Sequence, residues 1–210
     1  MIFEQIKAGG DRNFSYLIGD EGSRRCAVVD PSGNPKKMLA RVNELGLEVV
    51  YLFNTHGHSD HTGGNDLILA RSPAKLLNGN NTHDGHTLSL GKVTLRVIHT
   101  PGHTQDSLCV LATEPGDPGR LVTGDTLFVG KVGGTGYGAD ARNEYDSIHN
   151  KLMALPDEVE VWPGHDYGVA PSSTIGHERR TNPFILREDF ESFVELKRNW
   201  LQYKAEHGIQ

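Results

Sequence analysis

The sequence predicts a single domain of mixed α and β structure, and three observations lead there. Short apolar runs of strand length, bounded by glycine, proline and charged turns, recur along the chain. Segments with apolar residues at helical spacing interrupt them. A chain of 210 residues with 36% hydrophobic content can bury one substantial core, and nothing marks a second large one.

Residues 2–6, 14–18 and 25–30 read as strands separated by Gly9-Gly10-Asp11 and Asp20-Glu21-Gly22, the pattern of an antiparallel meander. A helix should follow: Asn34 is a suitable cap, Pro35 takes the first helical position, Met38, Leu39, Val42 and Leu45 share a face, and Gly46 ends it. Strand 47–53 leads into a polar loop, and a short helix runs from Gly63 to about Arg71, ended by Pro73. Residues 74–77 and 87–90 are weaker strands on either side of Asn78-Gly79-Asn80-Asn81, and the nearby His83 and His86 read as surface or loop residues. Strands 93–98, 107–113 and 120–123 come next, the last two joined by the exposed Pro/Gly turn 114–119.

The stretch Gly130 to Gly138 is rich in glycine but lacks the strand-to-helix spacing and the Gly-Lys-Ser/Thr ending of a phosphate loop, so it reads as a mobile wall. An amphipathic helix over 142–154 carries Tyr145, Ile148 and Leu152, with Leu155 beyond it and Pro156 closing it. Strand 159–162 and a polar stretch, 172–184, with a short helix follow. Residues 188–206 form a terminal helix whose Phe190, Phe193, Val194, Leu196, Trp200 and Tyr203 dock either on residues 1–187 of the same domain or on a second copy in a homodimer.

The formal net charge of −6 and the pI near 6.0 argue against a nucleic-acid partner, which would want a basic face, and leave small molecules as partners. Cys26 and Cys109 lie inside apolar runs and read as buried thiols. The N-terminus has no basic region followed by an apolar core. No apolar run approaches the roughly 20 residues that span a bilayer, so no membrane partner is expected and a reducing cytoplasm fits best.

The run Asn54-Thr55-His56-Gly57-His58-Ser59-Asp60-His61 is unlike an ordinary turn. Polar loops are built from Gly, Asn, Asp and Ser, whereas this one packs three imidazoles and a carboxylate directly after an apolar strand. Side chains repeat every second residue in extended chain, so His56 and His58 can point the same way. Asp60 and His61 form a second, adjacent pair that a bent loop would aim elsewhere, which suggests two neighbouring metal positions. Thr100-Pro101-Gly102-His103, Thr123-Gly124-Asp125 and Trp162-Pro163-Gly164-His165 each follow a strand-like run, where a rigid sheet presents functional loops.

Thr-His-Gly-His-Ser-Asp-His resembles the H-x-H-x-D-H signature of the metallo-β-lactamase superfamily, and the three later loops resemble that superfamily's further ligand loops in the same order. The resemblance implies an αββα sandwich, two mixed β-sheets face to face with helices outside. It implies one metal on His56, His58 and His103, a second on Asp60, His61 and His165, and Asp125 bridging. Zinc is the metal expected at both positions, and the same donors suit iron or manganese. A water held by such a pair has its pKa lowered from roughly 15.7 towards about 7, and Asp60 could orient it or accept its proton.

Gly124-Asp125-Thr126-Leu127-Phe128, Pro163-Gly164-His165-Asp166-Tyr167, Ser173-Thr174-Ile175-Gly176, Arg179 and Asn182-Pro183-Phe184 resemble the glyoxalase II group of thioesterases, which implies hydrolysis of a (thio)ester. The pattern departs from the group in two places. The stretch Lys131-Val132-Gly133-Gly134 lacks the group's arginine, and the helical glutathione-binding domain is reduced to one terminal helix, which weighs against glutathione. Lys131, Tyr137, Tyr167 and Arg179 are the local substitutes for substrate contacts. Persulfide dioxygenases share many of the same residues and imply a different reaction, with one iron on His56, His103 and Asp125. A lactonase or β-lactamase-like hydrolase is a remoter alternative from the same metal pair, and a purely structural metal would more typically be held by cysteines.

Overall fold

The structure, a computed structural model, describes residues 1–209. β1 (Ile2–Gly9), β2 (Asn13–Asp20) and β3 (Arg25–Val29) form an antiparallel meander. After α1 (Pro35–Glu44), β4 (Glu48–Phe53) pairs parallel to β3, and the short helices α2 (Ser59–Thr62) and α3 (Asn65–Arg71) lead to β5 (Lys75–Leu77), parallel to β4. This first sheet runs β1-β2-β3-β4-β5.

The second sheet begins with β6 (Thr87–Leu90), β7 (Val93–His99), β8 (Leu108–Thr113) and β9 (Arg120–Gly124), all antiparallel. A small hairpin, β10 (Leu127–Phe128) with β11 (Lys131–Val132), precedes α4 (Ala139–Asp146) and a π-helical turn, Ser147–Leu152. β12 (Glu160–Pro163) then joins parallel to β9, and β13 (Ser173–Thr174) closes the edge. Helices α5 (Ile175–Thr181), α6 (Phe190–Arg198) and α7 (Trp200–His207) complete the chain.

Alternation along the central strands builds four layers. On β2 and β3, Phe14, Tyr16, Ile18, Ala27 and Val29 face Leu95, Val97, Leu108 and Val110 of the second sheet. The intervening Leu17, Cys26 and Val28 pack instead with Met38, Val42 and Ile68 of α1 and α3. Cys109 and Leu111 of β8 likewise turn outward, towards Ile148, Leu152 and the α6 residues Phe193, Val194 and Leu196. Strands covered on both faces read as continuous apolar runs, and β2 is buried along its whole length. The result is the αββα sandwich. Burial pushes both thiols, Cys26 and Cys109, up to about 12, so neither is a nucleophile near neutral pH.

Local chemistry explains α1 as the sequence suggested. The Asn34 side chain accepts from Lys37 N–H, Pro35 opens the helix, and Gly46 follows it with φ +61°. Three expectations are corrected. The helix expected over 142–154 starts at Ala139 and widens to π geometry from Ser147, where the Ser147 hydroxyl donates to Pro101 O at 2.9 Å. The terminal helix is two helices, broken at Asn199 (φ −103°, ψ 15°), a residue that favours helix ends. The glycine-rich wall begins as the β10–β11 hairpin, and Gly133 is held on both sides, its N–H donating to Thr126 O and its carbonyl accepting from Lys197.

Candidate metal centre

All seven predicted ligands meet at one end of the sandwich, each carried just past a strand. His56 and His58 follow β4, and α2 turns Asp60 and His61 inward within one helical turn, closed by His61 N–H donating to His58 O at 3.0 Å. His103 lies between β7 and β8, Asp125 follows β9, and His165 follows β12. His58 Nδ1 is 3.0 Å from His56 Nε2 and 3.1 Å from His103 Nε2. His61 Nε2 is 3.1 Å from His165 Nε2, and Asp60 Oδ2 lies 3.3 Å from His165 Nε2 and 3.5 Å from His61 Nε2. Asp125 stands between the groups, with Oδ1 3.4 Å from His61 Nε2 and Oδ2 3.4 Å from His165 Nε2 and 3.6 Å from His103 Nε2.

The donors suit divalent cations. A tetrahedral ion with metal–nitrogen bonds of about 2.05 Å sets its ligand atoms about 3.3 Å apart, close to these separations. The ligand atoms of His56, His58 and His103, of His56, His61 and Asp125, and of Asp60, His61 and His165 all lie within 4.8 Å of one another in each group. Asp125 Oδ1 is buried and has no hydrogen-bond donor, an orphaned acceptor that a cation would satisfy. Gly164 permits the crowding, since a Cβ there would sit 2.4 Å from that same oxygen.

The outward-facing ring nitrogens are held as well. His61 Nδ1 donates to Asp30 Oδ2 at 2.9 Å, His103 Nδ1 to Gly134 O at 2.8 Å, and His165 Nδ1 to Asp11 O at 2.8 Å. His56 Nδ1 meets Thr55 Oγ1 at 3.1 Å, and that hydroxyl donates to Asp30 Oδ2 at 2.6 Å. Each contact fixes a tautomer that leaves Nε2 free to ligate. Asp30, 1% exposed, thus serves two ligands and also accepts from Thr55 N–H. Sequence reasoning missed it, although an acid closing the apolar run Cys26–Val29 was a signal. Asn13 was missed too, and its amide donates to Asp60 Oδ2 at 3.0 Å.

The protonation pattern follows from these contacts. Burial, helped by the charge on His61, pulls His56 down to about 4. Burial also opposes charge on His61, but Asp30, Asp125 and Asp60 outweigh it and lift that imidazole to about 9. Burial opposes the Asp125 carboxylate, yet His165, His61 and His56 outweigh it and hold that acid at about 2. An ionised acid among imidazoles, with a proton on His61, is a cluster that favours positive charge at its centre.

Of the predicted substrate contacts, Tyr167 stacks on His165 with ring centroids 4.4 Å apart and its hydroxyl donates to the Asp11 carboxylate. Lys131 Nζ lies 5.2 Å from the Tyr167 ring centroid. Tyr137 is exposed and shares with Lys131, Lys197 and Trp200 a cavity of about 230 Å³ beside the glycine-rich wall. Arg179 is not brought to the cluster: it pairs with Asp157 and donates to Met153 O and Leu155 O at 2.8 and 2.9 Å. His83 and His86 stack on each other outside the ligand groups.

The chain matches the Metallo-beta-lactamase superfamily over residues 8–79 and 73–165, spans that contain all seven residues, and it belongs to that superfamily. It is 36% identical over 180 residues to a hydroxyacylglutathione hydrolase of Nitrosococcus oceani, covering 80% of this chain and 67% of that one. It is 32% identical over 209 residues to the human mitochondrial persulfide dioxygenase ETHE1, covering 94% and 79%. The crystal structure of ETHE1 from Myxococcus xanthus superposes with a TM-score of 0.85 at 34% identity, covering 95% of this chain and 91% of that one. Among the described residues no helix is long and apolar enough to cross a membrane.

Proposed function

We propose that this chain is a metal-dependent thioester hydrolase working with two divalent ions, zinc being the metal expected. The observation that carries the reading is the pairing of two ligand groups around one shared carboxylate: His56, His58 and His103 on one side, Asp60, His61 and His165 on the other, Asp125 between. The similarity to a hydroxyacylglutathione hydrolase supports the reaction class. Bound divalent ions would supply an acidified water and polarise a carbonyl oxygen. The two free, buried cysteines fit a reducing cytoplasm.

The chain's own groups account for the rest. Asp60 has a side chain 43% exposed, so it lies at the rim where a water can reach it. Burial opposes its charge, but the Asn13 hydrogen bond and His61 outweigh that effect, and the carboxyl stays below its ordinary value and ionised. Asp60 is thus the group to take the proton as water oxygen bonds to the acyl carbon, the carbon–sulfur bond breaks and the thiolate leaves with its electron pair. Tyr167, stacked on His165, Lys131 beside it and Tyr137 in the cavity that Lys131 also lines are the side chains assigned to contact the leaving thiol's remainder. Arg179, already committed to Asp157 and two carbonyls, is assigned no substrate contact.

A second reading has a specific observation behind it: the likeness to persulfide dioxygenases spans more of both chains than the likeness to the Nitrosococcus hydrolase does. It would use one iron on His56, His103 and Asp125. Elemental analysis of the protein purified without added metal, followed by thiol release from a panel of thioesters under anaerobic conditions, decides between them. Two ions per chain and thiol release without dioxygen are expected. One iron per chain, with dioxygen consumed on addition of glutathione persulfide and no thioester cleaved, would transfer the assignment.

A further inference from the structure

One buried ion pair outside the ligand set reaches the groups that aim a ligand. Glu144 on α4 is 0% exposed, and Lys197 on α6, its side chain 6% exposed, brings Nζ to 2.5 Å from Oε2. The same ammonium donates to Gly133 O at 2.7 Å. The next carbonyl along, that of Gly134, accepts Nδ1–H of His103. Glu144 also backs the loop that carries His103: at Gly102, where φ is +156°, a Cβ would fall 2.4 Å from Glu144 Cβ. The pair therefore clamps both the segment that orients His103 and the loop that bears it.

This clamp is a poor device for stability. Burial pushes the Glu144 carboxyl up to about 7 even against the ammonium of Lys197, so desolvation outweighs the pairing. Replacing such a pair by apolar side chains is often neutral or stabilising, whereas removing one partner alone is not. The other ligand group is held differently, its outer nitrogens resting directly on Asp30 and on Asp11 O.

We propose that Glu144 and Lys197 are positioning residues for His103, through which helix α6 sets the metal affinity of the position formed by His56, His58 and His103. The inference rests on the two-position reading of the centre. Outer partners of metal ligands typically change affinity by about 10–100-fold when lost.

The test is a Zn²⁺ titration of the full, metal-stripped chain against a chromophoric chelator, comparing the native protein with the double variant Lys197→Met, Glu144→Leu. Two equivalents are expected for the native chain. In the double variant one equivalent should weaken by about 10-fold or more and the other hold, while the thermal midpoint of the metal-free protein stays level or rises. The weakening should persist in a His165→Ala background and vanish in a His58→Ala background. The His103 Nδ1–H proton resonance should also shift. Unchanged affinities, or equal weakening at both positions, overturn the inference. Should the double variant fail to fold, Lys197→Met alone, which removes the donor to Gly133 O, decides by the same affinity criterion. A native chain that binds only one equivalent refutes the two-metal reading separately, and the variant's effect on that equivalent still decides the clamp.

Discussion

The two halves of the centre are built differently. Around Asp60, His61 and His165 the imidazoles are 0% and 3% exposed, and their outer nitrogens rest on the buried Asp30 and on the backbone of the β1–β2 turn. That turn is locked to the His165 loop by Phe14 N–H donating to Gly164 O at 2.8 Å and Asp166 N–H to Arg12 O at 3.0 Å. Around His56, His58 and His103 the cover is uneven: His56 is 1% exposed and reaches Asp30 through the Thr55 hydroxyl, but His58 is exposed and the His103 side chain 14% exposed. The His103 partner is a glycine carbonyl on an irregular segment. One position is thus an extension of the sandwich core, and the other joins that core only at His56, with His58 and His103 on loops and the His103 segment held by α6. Stability should follow the first and metal affinity the second.

The largest test of that contrast compares His61→Ala with His58→Ala in metal-free protein. Removing His61 leaves the Asp30 carboxylate buried with only Thr55 as donor, a loss of about 3 kcal/mol. Removing the exposed His58 should change stability by less than about 0.5 kcal/mol. Both variants should lose turnover, and denaturant unfolding monitored by circular dichroism separates them. Equal stability losses would mean that the two halves are equally part of the core.

A pH series sharpens the same point at the Glu144–Lys197 clamp. The Glu144 carboxyl titrates at about 7 in the fold against an ordinary 4.5, so the unfolded chain gives up that proton first as pH rises. Stability should therefore fall between about pH 4.5 and 7 and level off above, by about 3 kcal/mol over the window. Subtracting the profile of the Lys197→Met, Glu144→Leu variant isolates this contribution from the other titrating groups. A difference profile that stays flat across the window would show that Glu144 is ionised throughout and that the pair does stabilise the fold.

The same division governs what could be read from the sequence. The strands were legible because alternation and apolar runs mark half-buried and doubly covered strands alike, and the His and Asp loops stood out because no folding requirement explains them. Asp30 was hidden because its partner His61 is 31 residues away and only the pairing of β3 with β4 brings them together. Nothing in the sequence reading singled out Glu144 or Lys197. Yet Glu144 lies four residues before the buried Ile148, and Lys197 four after the buried Phe193, so each interrupts an apolar stripe. Opposite charges on two core-facing stripes were the available clue to a buried pair. The break at Asn199 and the β10–β11 hairpin had only local propensity to announce them, and tertiary packing settled both.

Asn13 offers the finest probe, because it touches the rigid half of the centre at its most exposed member. Its amide donates to Asp60 Oδ2, and at the start of β2 Asn13 forms an isolated bridge with His165. In Asn13→Ala the carboxylate loses that donor, so the Asp60 carboxyl should move up from its lowered value and the acid limb of the pH–rate profile should move up with it. Turnover should fall about 10-fold, equivalent to about 1.4 kcal/mol of barrier, with KM unchanged, because the amide holds the acid and not the substrate. Stability should drop by only about 1 kcal/mol, the usual worth of one hydrogen bond. A lowered melting temperature with turnover and pH profile intact would assign Asn13 to the fold alone, and would leave the orientation of Asp60 to the bound metal.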